Sequence, residues 1–314
     1  MIQPVPIAVF TYNRPQHARQ MLDSLANCSR LNECRVVIFS DAPRIAEHIA
    51  GVEENRRLIH AWAKQNQAQV IERSENFGLA RSIVGGVTEQ CEQHGRVIVL
   101  EDDFILHPFF LDFMLQSLDR YEDDEQVTQV AGFTFPIDAL EEVDAFFLPL
   151  TTSWGWATWQ RAWKLFSWET RAALETLDAN PGLRGRFDLD GAYPYTEMLR
   201  RTAAGELNSW AIRWYWHAFS TNKLTLYPRR SLVWQNGFDK TATHTTVAKH
   251  NMQMPIHEFL QEKKWRAPIL FPEAVQTDEI TFQQFKNFLQ RESSRSFQVR
   301  VRGMLKRMFA RLVE

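Results

Sequence analysis

Short runs of consecutive apolar residues recur through the first third of the chain. Each ends in a polar break and is followed by a segment with apolar residues at helical spacing. Pro6-Ile7-Ala8-Val9-Phe10-Thr11 is the first run and Arg35-Val36-Val37-Ile38-Phe39-Ser40 the second; Gln69-Val70-Ile71-Glu72-Arg73 is a shorter third, and Val97-Ile98-Val99-Leu100 the fourth. An unbroken, β-branched apolar run marks a strand buried on both faces. Between the first two, Ala18, Met21, Leu22 and Leu25 share a helix face over about residues 16–26, with Pro15 suited to the first helical position. Further helices are predicted over about residues 44–66 and from Ser74–Ser82 up to about His94-Gly95. Strand and helix alternating four times predict an α/β fold with a mostly parallel central sheet and helices on both faces.

The pattern is less regular afterwards. His107-Pro108 opens a helix through Phe109, Phe110, Phe113, Met114 and Leu118, and strands are predicted at Gln129–Phe133 and Leu224–Pro228. Asn180-Pro181-Gly182 and Gly191-Ala192-Tyr193-Pro194 are turn signals, so residues 164–208 read as an irregular insertion. A helix then begins near Trp210, with Asn208 or Ser209 as its cap. Near the end, Val301, Met304, Leu305, Met308, Phe309 and Leu312 keep helical spacing, while Arg300, Lys306, Arg307 and Arg311 occupy other positions. Such a basic amphipathic tail suits an anionic membrane surface, or a terminal helix docked on the domain or on a second subunit.

Composition narrows the class. With 314 residues, 45% hydrophobic and 24% charged, the chain is a folded protein of one large α/β domain or two modest ones. A net charge of −2 supplies no global field for nucleic acid. Cys28, Cys34 and Cys91 are an odd number without metal spacing and read as free thiols of a reducing, cytoplasmic compartment. The start carries no basic, apolar leader, and no window reaches 18 apolar residues. Neither a Gly-x-Gly-x-x-Gly after the first strand nor a Gly-Lys-Ser/Thr loop is present, which speaks against a dinucleotide fold and a P-loop nucleotidase.

The chemistry concentrates where the fourth strand ends in Glu101-Asp102-Asp103. Three adjacent carboxylates repel one another, so they seek solvent or a cation. In an open α/β sheet, ligands bind beyond the carboxyl ends of the strands. A hard divalent ion held together with a diphosphate suits that place; a solvated acidic turn is the plainer reading. Asn13 and Arg14 lie in the first strand-to-helix loop at the same end, where Asn13 is alternatively a helix cap and Arg14 a solvated charge. Asp41 also falls at a strand's carboxyl end. Trp154-Gly155-Trp156 offers two indoles around a glycine, a surface for a sugar ring or part of a Trp-rich core. Trp159 and Trp163 read as core.

The order Val-Phe-Thr-Tyr-Asn-Arg-Pro, Phe-Ser-Asp, Asn-Phe-Gly-Leu-Ala and Leu-Glu-Asp-Asp resembles GT-A glycosyltransferases, which have a Rossmann-like fold. The likeness is to bacterial family-2-like enzymes and the N-acetylglucosaminyltransferase I group, and it runs over roughly residues 5–245. It implies a catalytic domain over 1–245, with a nucleotide-binding part to about 135 and an acceptor part after it; 246–314 is a C-terminal extension. It implies a divalent metal, Mn²⁺ or Mg²⁺, a nucleotide-sugar donor such as a UDP-sugar, and a glycan or lipid-linked acceptor. Asp103 is then the metal ligand, with His244 a second one or a diphosphate contact. Glu101 and Asp102 would meet ribose or sugar hydroxyls, and Asp41 the base. Thr11, Asn13, Arg14, Asn76, Arg81, Trp154, Gly155 and Trp156 would line the donor site. The position of the relatives' catalytic base carries no carboxylate here, leaving Glu206 or Asp239 as candidates. A sugar nucleotidyltransferase and a non-catalytic scaffold of the same fold are the competing readings.

Overall fold

The computed structural model describes residues 3–137, 142–237, 253–262, 265 and 268–292. Among the described residues are ten strands: β1 (Val5–Thr11), β2 (Cys34–Ser40), β3 (Gln69–Glu72), β4 (Arg96–Glu101), β5 (Phe104–Leu106), β6 (Val127–Ala131), β7 (Ala145–Leu148), β8 (Trp156–Trp159), β9 (Leu224–Pro228) and β10 (Val233–Gln235). Eight form one sheet in the order β3-β2-β1-β4-β8-β6-β9-β7, and β5 pairs with β10 in a separate ribbon. The pairings β3–β2, β2–β1, β1–β4 and β6–β9 are parallel, whereas β4–β8, β8–β6 and β9–β7 are antiparallel. The expected α/β architecture is present, and its parallel half is the part built from the four-fold alternation.

Helices α1 (Pro15–Ala26), α2 (Ile49–Asn66) and α3 (Gly78–His94) connect these first strands, and α4 (Phe110–Arg120) follows β5. Every residue of β1 is buried, and its alternate side chains enter two cores. Ile7 and Val9 pack in a core with Met21 and Leu22 of α1, Ile59 of α2 and Phe110 of α4. Ala8 and Phe10 pack in another with Ile83 and Val87 of α3. Period-2 alternation with both faces apolar is what demands helices on both sides. Each fully buried aliphatic or aromatic side chain stabilises the fold by about 1.5–3 kcal/mol.

Residues 164–208 differ from the expected irregular insertion. After the single turn α5 (Gln160–Trp163) they hold α6 (Arg171–Ala179), α7 (Pro181–Phe187) and α8 (Tyr195–Ala203). Pro181 starts α7 rather than closing a loop, and Asn180 caps it, its Oδ1 accepting from Leu183 N at 3.0 Å. Proline and asparagine are turn residues and helix starters alike, so the dipeptide alone does not separate the two. Next comes α9 (Trp210–Ser220), capped by Ser209, whose Oγ accepts from Ile212 N at 3.3 Å.

The C-terminal segment closes onto the same body. Phe259 of α10 (Ile256–Gln261) is buried, as are Phe285 and Leu289 on a helix over residues 279–292. The basic amphipathic pattern at 300–312 lies outside the described residues. No helix among the described residues is long and apolar enough to cross a membrane. Cys28, Cys34 and Cys91 are free, and burial pushes the Cys28 and Cys34 thiols up to about 12.

Candidate functional site

Parallel pairing of β2, β1 and β4 brings their carboxyl ends to one edge, with Thr11 opposite Ser40 and Phe10 opposite Glu101. The loop after β1 therefore meets the acidic end of β4. Arg14 Nη2 donates to Asp102 Oδ1 at 2.9 Å and to Asp103 Oδ2 at 2.7 Å, and Tyr12 N donates to Asp102 Oδ2 at 3.2 Å. Asp102 is the most enclosed of the three acids, only 5% exposed. Asp103 Oδ1 is buried and finds no hydrogen-bond partner among the described residues. Buried carboxylate oxygens seldom stay unmatched, because desolvation without a partner costs about 1–3 kcal/mol or more.

The electrostatics follow from this crowding. Burial pushes the Glu101 carboxyl well above its ordinary range, and the charges of Asp103 and Asp102 push the same way against Arg14. Asp102 is also raised by burial, although Arg14 and the Tyr12 N–H oppose it. For Arg14, burial disfavours the charge, but Asp102 and Asp103 outweigh it and hold the guanidinium above its ordinary pKa. Carboxylate oxygens with one coordination position unmet are a donor set that suits a hard divalent cation. Among the described residues, no group of three His, Cys, Asp or Glu side chains forms a ready metal cage. A Mg²⁺-type site commonly uses one or two carboxylates and takes its remaining oxygens from water and substrate phosphate, so the residues present fit such an ion.

The β5–β10 ribbon supports the cluster from the other side. Asn236 N donates to Asp103 O at 2.7 Å, and Gly237 lies against the Asp103 carboxylate so closely that a Cβ there would collide with it. Gln253 clamps this corner, its amide exchanging hydrogen bonds with Gln235 N and Gln235 O, both at 2.8 Å. Nothing local in the sequence marks Tyr12, Gln235, Gln253 or the contact of Gly237 with Asp103; the Asn236-Gly237 dipeptide is a signal for a tight approach.

The other anticipated residues are more scattered. Asp41 is buried, with Oδ1 accepting from Ala42 N at 3.0 Å and Phe77 N at 2.9 Å, and Oδ2 accepting from Gly78 N at 2.8 Å. It closes the amino-terminal end of α3, whose free N–H groups favour a carboxylate. Asn76 Nδ2 donates to Ala42 O at 2.7 Å, and Arg81 lies over the Phe77 ring at 4.8 Å. Thr11 is buried, its Oγ1 accepting from Asn55 Nδ2 at 3.0 Å. No side chain caps α1, so Asn13 does not play that part; its carbonyl instead packs against Gly51 of α2.

The Trp154-Gly155-Trp156 expectation needs correction at Trp156. That indole is 1% exposed and stacks on Trp210 at 5.1 Å, with Trp163 and Trp214 around it. A ring enclosed in this way has no face to offer a sugar. Position in β8 sends it into the core beneath α3 and α9, and Trp159 and Trp163 are core as expected. Gly155 takes the left-handed φ of +61° that favours glycine and accepts a 2.6 Å hydrogen bond from Gly132 N. Trp154 is half-buried, edge-on to Phe133 at 4.5 Å. Glu206 stands exposed in the turn between α8 and α9, paired with Arg201 at 3.1 Å. Asp239 and His244 lie outside the described residues.

Fold and cluster together define an α/β protein with an acidic, arginine-bridged group of side chains at the carboxyl edge of its parallel strands. No family model matches the chain, and no curated protein matches it. Among solved structures it is similar to the mannosyltransferase PcManGT from Pyrobaculum calidifontis in complex with GDP-Man and Mn²⁺, at 16% identity and a TM-score of 0.36, covering 55% of this chain and 46% of that one. It is similar to S. aureus TarS 1-349 at 15% identity and a TM-score of 0.37, covering 50% of this chain and 47% of that one. A third is glucosyl-3-phosphoglycerate synthase from Mycobacterium tuberculosis in complex with Mn²⁺, UDP and glucosyl-3-phosphoglycerate, at 13% identity and a TM-score of 0.33, covering 56% of this chain and 66% of that one. The chain spans about half the length of the first two.

Proposed function

We propose that this chain is a GT-A-type glycosyltransferase. It moves a sugar from a nucleotide donor, a UDP-sugar in the first instance, to a hydroxyl of a glycan or lipid-linked acceptor. The observation that carries the reading is the cluster at the end of β4, bridged by Arg14 and holding one unpartnered buried carboxylate oxygen on Asp103. The motif order along the chain, with its likeness to family-2-like enzymes and the N-acetylglucosaminyltransferase I group, supports the same reading.

In such a transfer the acceptor oxygen bonds to the anomeric carbon as the bond from that carbon to the diphosphate breaks. The electron pair goes to the diphosphate, and the hydroxyl proton leaves to a base. A bound divalent ion, Mn²⁺ or Mg²⁺, supplies Lewis-acid stabilisation of the departing diphosphate. Asp103 would hold it, through the oxygen that otherwise stays unmatched. Arg14 brings a fixed guanidinium to the same place, held there by Asp102 and Asp103 and suited to phosphate oxygens. Asp102, anchored by the Tyr12 N–H, positions Arg14. Direct displacement at the anomeric carbon inverts its configuration, the outcome assigned here.

The test is thermal unfolding with a panel of nucleotides and nucleotide sugars, with Mn²⁺ and with chelator. A ligand that binds only the native state raises Tm. A metal-dependent rise with one nucleotide sugar, lost in Asp103→Asn, is the expected result. A rise with nucleoside triphosphates alone would replace the reading with nucleotidyl transfer, and a folded protein indifferent to the whole panel would overturn it in favour of a scaffold.

A further inference from the structure

A cavity of about 350 Å³ opens beside β10, bordered by the segment after β6, the end of β9 and the start of the C-terminal segment. Thr134, Phe135, Arg229, Arg230, Trp234 and Phe259 are among the residues that line it. The volume suits a ligand the size of one sugar. No Asp or Glu lines it among the described residues, whereas two arginines do.

Both arginines have a carboxylate nearby, and neither is saturated by it. Arg230 Nη1 lies 2.9 Å from Glu262 Oε2, yet Arg230 Nε is buried without a hydrogen-bond partner among the described residues. Arg229 Nη2 lies 3.8 Å from Asp144 Oδ1, beyond hydrogen-bond reach. Asp144 Oδ2 accepts instead from Leu270 N at 2.9 Å. Thr134 Oγ1 is a second buried polar atom with no partner among the described residues. Buried donors in this state are matched in most native structures by a ligand or ordered water. A guanidinium with free N–H groups favours carboxylate or phosphate oxygens over neutral ones.

The walls complete the picture. Trp234 is half-buried, and its indole N–H donates to Met254 O at 3.0 Å, which holds the ring in place. A fixed aromatic face suits the apolar side of a sugar. Trp234 pairs with Ile105 across the β5–β10 ribbon, and Asn236, two residues on, donates its N–H to Asp103 O. Two residues span at most about 7 Å, so Trp234 on the cavity wall is tied through the ribbon to the residue that contacts Asp103.

The geometry points to a subsite for an anionic sugar: a ring against Trp234, with its carboxylate or phosphate on Arg229 and Arg230. That the occupant is the acceptor rests on the glycosyl-transfer reading; binding of the anion does not. The test uses the full chain without nucleotide or metal, titrated calorimetrically with glucuronate, glucose 6-phosphate, inorganic phosphate and glucose. Glucuronate, glucose 6-phosphate or both should bind at least about tenfold more tightly than glucose, the size of one charge-assisted hydrogen bond. Response to one alone identifies the oxyanion as carboxylate or phosphate. Arg229→Gln and Arg230→Gln should each weaken that binding by about tenfold. Trp234→Leu, which keeps both charges should Arg230→Gln fail to fold, should weaken glucose 6-phosphate or glucuronate but leave inorganic phosphate unchanged. Glucose binding as tightly as the anions, or anion binding indifferent to all three variants, would overturn the proposal. Asp103→Asn should keep this response while losing the nucleotide-sugar shift, so the two readings fail separately.

Discussion

β2 and β4 flank β1 in the parallel half of the sheet, and both run buried to an aspartate at the same edge. Asp41, just beyond β2, faces the start of α3 and meets three backbone N–H groups. Asp102 and Asp103, just beyond β4, face the loop before α1 and share a single guanidinium, with one oxygen of Asp103 left unmet. One carboxylate is a structural cap, matched by groups that cannot move away. The other two share a side chain that can exchange partners, with the Tyr12 N–H adding a fixed donor to Asp102 alone, and the acids crowd one another. A strand-end aspartate is left open to a further partner when what faces it is another side chain and the matching is incomplete.

Substitutions can break or sharpen that contrast. The largest effect is expected at Asp103: Asn there should lower kcat by about 10²–10³, the scale of losing one electrostatic contact to a developing charge. Its unliganded stability should change little, because relief of the repulsion among the acids offsets the lost charge on the Arg14 partner; steady-state kinetics and urea unfolding together check this. Asp41→Ala should behave in the opposite way, losing about 2 kcal/mol of stability as buried N–H groups lose their acceptor. Equilibrium unfolding in denaturant measures it, and an unchanged midpoint with lost activity would place Asp41 with the cluster instead. Gly237→Ala falls between the two classes. Its Cβ displaces the Asp103 carboxylate or the Gln235 amide, so a loss of about 1 kcal/mol should accompany weaker metal-dependent nucleotide-sugar binding, read by calorimetry.

The smallest effect is a pH slope. Burial and its acidic neighbours raise Glu101 in the folded state. Between the ordinary carboxylate pKa and that raised value, the native state keeps a proton that the unfolded chain has released. Stability from this group is therefore fully present below the ordinary range and is lost as pH rises through the raised one. Glu101→Gln should flatten this part of the profile, seen in melting temperatures from about pH 4 to about pH 8 without added metal.

The alternation of apolar runs and helical stripes in the first hundred residues is enough to determine the parallel half of the sheet, its two helical layers, and the edge where Glu101-Asp102-Asp103 emerges. Those features depend on periods of two and of three to four residues, which are visible in any short window. Trp159 and Trp163 in the core and a cap at Asn208 or Ser209 were legible on the same local grounds, and the structure places it at Ser209. Only tertiary structure decided which groups complete the edge. Tyr12 and Arg14 reach Asp102 and Asp103 across 88 to 90 residues of chain, and Gly237 reaches Asp103 through a ribbon between distant segments. Trp156 joined Trp210 and Trp214 in the core rather than meeting a ligand, because β8 lies between β4 and β6, an insertion that no local period announces. Asp41 and Asp103 end similar strands. Their different fates follow from the loop that happens to face each, and a carboxylate's environment is set by neighbours in space rather than in sequence.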